Sequence, residues 1–125
     1  MNIVTSRTAP AAIGPYSQGI VSGNLLFTSG QIPVDPATGE IAEGGFEGQV
    51  RQVLENLDNV LRAAGTSRSR VVKVTVYLTD MGHFGRLNEV YGDFFGAHRP
   101  ARSVIEVSHL PKHVGVEIEA VAEVR

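Results

Sequence analysis

An arginine and a glutamate interrupt two apolar stretches of the sequence. Arg102 lies in "PARSVIEVSHL" (100–110), and Glu117 lies in "VGVEIEAVAEV" (114–124). A guanidinium group offers a planar fork of donors to a carboxylate or phosphate. A carboxylate can act as a general base on water, with its pKa tuned by burial and a nearby cation. Because a short turn should make the two strands neighbours, we expect Arg102 and Glu117 to bind an anionic substrate and activate a water together.

Spacing alone also fits a simpler interpretation of each residue. Arg102 could be an edge-strand arginine whose stem lies on the sheet and whose head stays in water. Glu117 could lie with Glu119 on the solvated side of an alternating strand. Glu106 shares a face with Arg102 because the two are an even number of residues apart. For Glu106 we expect a structural or solvated role.

Three other positions offer polar groups, each with a simpler alternative. Tyr16 follows Gly14-Pro15 at a turn exit, where an ordinary half-buried tyrosine is the simpler interpretation. Asn88 interrupts the apolar stripe of a predicted helix, as an exposed polar residue would. The segment "TSGQ" (28–31) ends a strand with a small corner where backbone can approach a ligand. It lacks the glycine spacing and the lysine of a phosphate-binding P-loop.

Composition excludes several kinds of site. The sequence has no cysteine, which excludes disulfides, thiolate nucleophiles and zinc sites built on cysteine. His109 and His113 are four residues apart, but Pro111 between them prevents a shared helix face, so we expect no metal site. The formal net charge of −2 gives no electrostatic footprint for nucleic acid.

The sequence shows no targeting or membrane segment. Its first residues lack the continuous apolar region of a signal peptide. No apolar run approaches the roughly 20 residues that span a bilayer. We therefore expect a cytoplasmic protein without membrane partners, and the sequence leaves open whether an organelle presequence has been removed.

The elements that must position these residues are predicted to form one domain, residues 1–125. "SGN" (22–24) is a turn signal, so segments 19–21 and 25–29 are predicted to pair as a hairpin. Apolar residues recur every three or four positions over 46–64, which predicts a helix that Gly65 ends. Asp80 is a plausible N-cap for a second helix over about 81–95. The apolar face predicted for this helix consists of Phe84, Leu87, Tyr91, Phe94 and Phe95.

Three more strands are predicted, over 71–79, 101–110 and 114–124. In the first of them Val72, Val74, Val76 and Leu78 should share one face. We place this strand centrally because it would aggregate at an open edge. The element order favours an α+β two-layer sandwich, a mixed β-sheet with two helices on one face. The uncovered face of a valine-rich sheet needs a partner, which predicts an oligomer.

Four segments in order resemble the Rid family, also called YjgF-like, of reactive-intermediate deaminases. They are "APAAIGPYSQG" (9–19), "TSGQIPVDPATG" (28–39), "PARSVIEV" (100–107) and "LPKHVGVEIEAVA" (110–122). The resemblance covers essentially the whole chain and is nearest to the RidA branch. It implies a chorismate-mutase-like fold and a homotrimer with ligand sites between subunits.

The resemblance also implies an activity. This is hydrolytic deamination of 2-imino and 2-enamino acids, such as 2-aminoacrylate and 2-aminocrotonate tautomers, to 2-keto acids and ammonia. It implies no cofactor. Arg102 would bind the substrate carboxylate and Glu117 would activate or position water. The remaining site residues that it implies are Tyr16, Ser29, Gly30, Asn88 and Val104.

This chain departs from the family pattern at two places. Many members carry cysteine where Val104 stands, and the effect of that exchange depends on whether the side chain only packs against the ligand. The segment before Pro100 is shorter than in some relatives, which leaves substrate size open. Two other functions stay open: a non-catalytic trimer that binds 2-keto acids, and an endoribonuclease, which the acidic balance disfavours. The sequence does not reveal the physiological imine or its pathway.

Overall fold

Six strands form one mixed sheet, and two helices lie against it. A computed structural model describes residues 1–125. The strands are β1 (Asn2–Val4), β2 (Gly19–Ser22), β3 (Leu25–Thr28), β4 (Val71–Leu78), β5 (Ala101–Glu106) and β6 (Val116–Glu123), and the helices are α1 (Gly45–Ala63) and α2 (Phe84–Phe95). Short 3-10 turns cover Arg68–Arg70, Met81–His83 and Pro111–His113. None of the helices has the length and apolar character needed to cross a membrane. The predicted α+β sandwich with both helices on one face is confirmed.

The strand order is β1-β2-β3-β6-β4-β5, so β4 is an interior strand, as predicted. The expectation that β5 and β6 are neighbours is wrong, because β4 lies between them. β5 pairs with β4 in parallel, and α2 is the crossover that a parallel pair requires. β6 pairs with β4 antiparallel. The strand predicted over 101–110 ends at Glu106, and the short turn expected between the last two strands is a longer connection, residues 107–115, that carries the chain past the end of β4.

The core lies between the helices and one face of the sheet. The apolar stripe predicted for the first helix is fully buried over most of its length, and Gly65 follows the helix with a φ of 79°. A positive φ is what a glycine that ends a helix adopts at little cost. The most buried side chains come from both helices and from the sheet: Leu54, Leu57, Leu61, Leu87, Val74, Val76, Leu78, Val116 and Ile118.

A β-bulge changes the predicted faces at the start of β4. The register with β6 shifts between Val71 and Lys73. The extra residue turns Val71 into the core and leaves Val72 with 42% of its surface exposed. The predicted face that begins with Val72 is therefore wrong at its first residue, and the other three positions are confirmed. Simple alternation cannot detect a bulge, because the count of residues changes on one strand only.

The second helix begins later than predicted. The Asp80 side chain accepts a hydrogen bond from the backbone N–H of Gly82 at 2.8 Å, so it caps a 3-10 turn rather than α2 itself. α2 begins at Phe84, which is 39% exposed although it was expected on the apolar face. Val90 is buried instead, beside Tyr91.

The face of the sheet away from the helices is uncovered in the isolated chain. Ile3, Phe27 and Ile105 lie on this face with 71%, 45% and 44% of their surface exposed. Glu117, Glu119 and Val121 alternate onto the same face, because their neighbours in β6 point into the core. We call this surface the open face.

Candidate active site

Arg102 is a half-buried arginine without a polar partner. It pairs in register with the buried Val74 of β4, so its side chain extends on the helix side of the sheet. The Arg102 Cζ lies 4.8 Å from the centre of the Tyr91 ring and 5.6 Å from the centre of the Phe84 ring. Arg102 takes part in none of the ion pairs or side-chain hydrogen bonds of the chain. The aromatic rings thus hold the guanidinium while its donors remain free.

A surface cavity of about 420 Å³ opens beside Arg102. Its lining residues are Asn88, Tyr91, Gly92, Arg99, Pro100 and Arg102. Asn88 is exposed, so its amide faces the cavity rather than the core. Val104 lies two residues beyond Arg102 on the same face of β5 and packs against the hydrophobic core. We call Arg102, Asn88 and Val104 the arginine group.

Tyr91 adds an unsatisfied hydroxyl to this region. Only 7% of the Tyr91 surface is exposed, and its hydroxyl group has no hydrogen-bond partner. Burial raises the pKa of Tyr91 to about 12, although the charges of Arg102 and Arg99 act in the opposite direction. The hydroxyl therefore stays protonated near neutral pH and keeps a proton that it can donate.

Glu117 lies on the open face and approaches the backbone closely. A Cβ built on Gly30 would lie 1.9 Å from the Glu117 Oε2, so only glycine leaves room for the carboxylate here. Burial, and secondly the charge of Glu119, raises the pKa of Glu117 above its usual value. A carboxylate with a raised pKa can accept and return a proton closer to neutral pH.

Hydrogen bonds to the segment before β2 hold the Ser29–Gly30 corner. The Ser29 hydroxyl donates to the carbonyl of Ser17, and the Ser29 N–H donates to the carbonyl of Gln18 at 2.9 Å. Tyr16 precedes Ser17 and is 51% exposed. Tyr16 is thus next in the chain to the residue whose carbonyl holds the corner. We call Tyr16, Ser29, Gly30 and Glu117 the glutamate group.

The two groups do not form one site within a single chain. Arg102 is in register with Val74, whereas Glu117 is in register with Tyr77, three residues farther along β4 and on the opposite face. Strand spacings place their Cα atoms about 14 Å apart. The expectation that Arg102 and Glu117 act together as neighbours in one chain is therefore wrong.

Sequence reasoning missed two residues of this region. Arg99 lines the cavity beside Arg102 but was read only as part of a loop. No sequence signal identifies it, because an odd spacing from Arg102 does not predict a shared strand face. Tyr91 was assigned to the apolar face of the helix, and the position of its hydroxyl was not apparent from periodicity. No group of three or more His, Asp or Glu side chains is arranged to hold a metal ion.

Comparisons with known proteins place the chain among related sequences. The sequence model of the family described as Endoribonuclease L-PSP matches residues 6–124. A RutC family protein of Pyrococcus horikoshii is 56% identical over 96% of this chain and 95% of its own length. The 2-iminobutanoate/2-iminopropanoate deaminase of Salmonella typhimurium is 48% identical over 95% of this chain and 94% of its own. The crystal structure of Escherichia coli TdcF with bound serine has a TM-score of 0.94 and 47% identity, covering 98% of both chains.

Proposed function

This chain belongs to the Endoribonuclease L-PSP family, which includes the Rid/YjgF-like deaminases, and we propose that it hydrolyses reactive 2-imino and 2-enamino acids. The products are 2-keto acids and ammonia. The activity assigned by name to the Salmonella typhimurium relative supports this reaction class, 2-iminobutanoate/2-iminopropanoate deamination. The same relative supports assignment to the RidA branch.

The unpaired Arg102 is the observation that carries the proposal. Arg68 offers a comparison, because it is an arginine of the same fold whose guanidinium donors have partners. The Arg68 Cζ lies 4.0 Å from the centre of the Phe94 ring, and its guanidinium also contacts Asp58 at 3.2 Å and donates to the Phe94 carbonyl at 3.0 Å. Arg102 has the aromatic contacts without the anion. A substrate carboxylate would supply the missing partner, with the paired geometry that a guanidinium favours.

A second copy of the chain would complete the site. The glutamate group lies on the open face, whose exposed Ile3, Phe27 and Ile105 favour burial in an assembly. Arg102 lies on β5, one of the two edge strands of the sheet. If the β5 edge of one copy lies against the open face of the next, the arginine group of one meets the glutamate group of the other. We propose a homotrimer with three such sites, as the family resemblance implies.

The residues suit an imine hydrolysis that needs no cofactor. Arg102 and the Gly30 N–H orient the substrate carboxylate. Water attacks the carbon of the protonated imine while Glu117 accepts a proton, which gives a carbinolamine. Glu117 returns that proton to the nitrogen, the C–N bond breaks with its electron pair on nitrogen, and ammonia leaves. The C–O bond becomes the carbonyl of the 2-keto acid as the hydroxyl loses its proton to solvent.

The test is clearance of an imine produced in the assay. Threonine dehydratase makes 2-iminobutanoate, and the appearance of 2-oxobutanoate is measured above the uncatalysed rate. We expect Arg102→Ala to abolish the enzymatic component, because the Gly30 N–H alone offers the carboxylate one donor and no charge. Arg51→Gln is the matched control, since Arg51 is exposed on α1 and its ion pair with Glu47 contributes little. Full clearance by Arg102→Ala would refute the assignment.

A non-catalytic ligand-binding trimer is the second candidate. The bound serine of Escherichia coli TdcF favours it, because the crystal of that relative holds a small amino acid. The same arginine would then hold a 2-keto acid. Binding of 2-oxobutanoate without any turnover of 2-iminobutanoate would support this candidate over the deaminase.

A further inference from the structure

A second guanidinium group faces the cavity beside Arg102. Arg99 and Arg102 both line this space, and its other lining residues carry no charge: Asn88, Tyr91, Gly92 and Pro100. Arg99, like Arg102, takes part in no ion pair. The cavity therefore carries two positive charges that no side chain of its lining offsets.

The end of α2 orients Arg99. The Arg99 Nη1 donates to the carbonyl of Gly96 and, at 3.4 Å, to the carbonyl of His98. The remaining guanidinium N–H groups have no acceptor in the chain. Pro100 follows directly and restricts the backbone between Arg99 and the start of β5. The guanidinium is thus held in the lining of the cavity with free donors.

Both guanidinium groups act on the same buried point. The Arg102 Cζ lies 4.8 Å from the centre of the Tyr91 ring, Arg99 lines the same cavity, and the charges of both act to lower the pKa of Tyr91. That hydroxyl has no acceptor of its own. The cavity of about 420 Å³ falls in the range of pockets that bind small molecules. Two anionic groups on one small ligand could reach both arginines.

We propose that Arg99 forms a second anion subsite, so that the preferred substrates are dicarboxylic 2-imino acids, the imines of acidic amino acids. The inference rests on the proposed role of Arg102 as the clamp for the first carboxylate. The side-chain carboxylate of the substrate would then contact Arg99 and bring an acceptor near Tyr91. The hydrolysis itself is unchanged, since the second carboxylate only binds.

The experiment compares two imines made in the assay. An amino-acid oxidase acting on L-aspartate supplies 2-iminosuccinate, and threonine dehydratase supplies 2-iminobutanoate. The readout is the ratio of kcat/KM for the acidic imine to kcat/KM for the neutral imine, after subtraction of uncatalysed hydrolysis. We expect Arg99→Gln to lower this ratio about tenfold, a modest factor because Arg99 is exposed and screened by solvent. Arg99→Lys should keep part of the preference, and Arg51→Gln should keep the wild-type ratio.

The outcomes separate this inference from the proposed function. If wild-type protein hydrolyses both imines and Arg99→Gln leaves the ratio unchanged, the second subsite is refuted and the deaminase stands. If wild-type protein hydrolyses neither imine, the deaminase proposal fails. Binding of 2-keto acids, measured by calorimetry, then tests the second subsite. Arg99→Gln should then weaken binding of 2-oxoglutarate more than binding of 2-oxobutanoate, and an equal effect on both would overturn the inference.

Discussion

At the scale of single residues, the pKa of Glu117 predicts how activity depends on pH. Its carboxyl group is partly buried and lies on the same strand face as Glu119, and both effects disfavour the charged form. If ionised Glu117 is the base, activity rises with pH as the group deprotonates. The acid limb of kcat/KM must then lie above the ordinary glutamate value of about 4.5.

Removing the charge of Glu119 should move this limb. We expect Glu119→Gln to lower the pKa of Glu117 and to shift the acid limb to lower pH, because one of the two causes of the raised pKa is gone. The limb should stay above its ordinary position, since burial is the larger cause. The measurement is a pH profile of kcat/KM for 2-iminobutanoate.

Two variants complete the pH experiment. Glu123→Gln removes a charge from the exposed end of the same strand face, so its profile should match that of the wild type. Glu117→Gln should remove the enzymatic component at every pH. An unchanged limb in Glu119→Gln would mean that a group other than Glu117 is being titrated.

The arginine group could be predicted only in part from sequence motifs. The motif resemblance selected Arg102, and the structure adds that its donors are free. It also places Val104 against the core rather than in open solvent, so the exchange of a cysteine for valine retains an apolar contact there. Arg99 escaped the motif, because its significance depends on a cavity that only the folded chain forms.

At the scale of elements, the position of Glu117 depends on how the segment after β3 pairs with β6. Gln31 and Ile118 exchange backbone hydrogen bonds at 2.8 and 3.1 Å, which brings Gly30 against the carboxylate. We expect Gly30→Ala to displace the Glu117 side chain, because the new Cβ would overlap its Oε2. Activity should fall roughly tenfold to a hundredfold, the loss expected from a displacement of about 1 Å.

Protein stability distinguishes this effect from misfolding. The clash involves the end of a flexible side chain, so the free energy of unfolding should change by about 1 kcal/mol or less. Gly85→Ala on α2 is the matched control, since a Cβ there meets no atom within 4 Å. Full activity of Gly30→Ala would show that the carboxylate need not occupy its present position.

A buried asparagine on α1 holds the loop that continues from this corner. The Asn56 Nδ2 donates to the carbonyls of Ile32 and Val34 at 3.1 and 2.9 Å. We expect Asn56→Ala to lower the free energy of unfolding by about 1–3 kcal/mol, because the Val34 carbonyl loses its donor in a part-buried position, whereas the Ile32 carbonyl keeps the N–H of Val34. The measurement is the denaturant midpoint.

Asn59 offers the comparison for this prediction. Its Nδ2 donates to the Thr8 carbonyl at 2.8 Å in an exposed position, where water can replace it. Asn59→Ala should therefore cost about 1 kcal/mol or less. Equal losses for the two variants would contradict the importance of burial at Asn56.

The elements could be predicted from the sequence more reliably than their arrangement. Periodicity located the helices, a turn signal located the first hairpin, and the apolar composition of β4 indicated its interior position. It could not show that β6 enters between β3 and β4, because strand order depends on pairings between distant segments. A strand, helix and strand in succession favour a parallel pair, and this rule would have placed β5 beside β4.

For the whole molecule, the separation of the two residue groups is the central fact. The sequence placed Arg102 and Glu117 on adjacent strands, whereas the fold puts them on opposite faces with β4 between. A single chain therefore cannot bring them to one substrate. Two predictions therefore depend on each other. If Arg102 and Glu117 form one site, the chain must form an oligomer, as its uncovered sheet face also predicts.

The size of the assembly is a necessary condition for that claim. Three chains of 13.4 kDa should scatter light as a particle of about 40 kDa. Dilution that dissociates the particle should also abolish imine hydrolysis. A fully active monomer would contradict the shared site.

Mixing two inactive variants tests the central claim most directly. Arg102→Gln and Glu117→Gln carry different tags, are co-expressed, and the trimers that contain both are purified. If each site takes Arg102 from one chain and Glu117 from its neighbour, every mixed trimer regenerates one of its three sites, about one third, and hydrolysis of 2-iminobutanoate returns in proportion. The double variant co-assembled with itself is the blank. Activity no greater than the sum of the two separate variants would contradict the account.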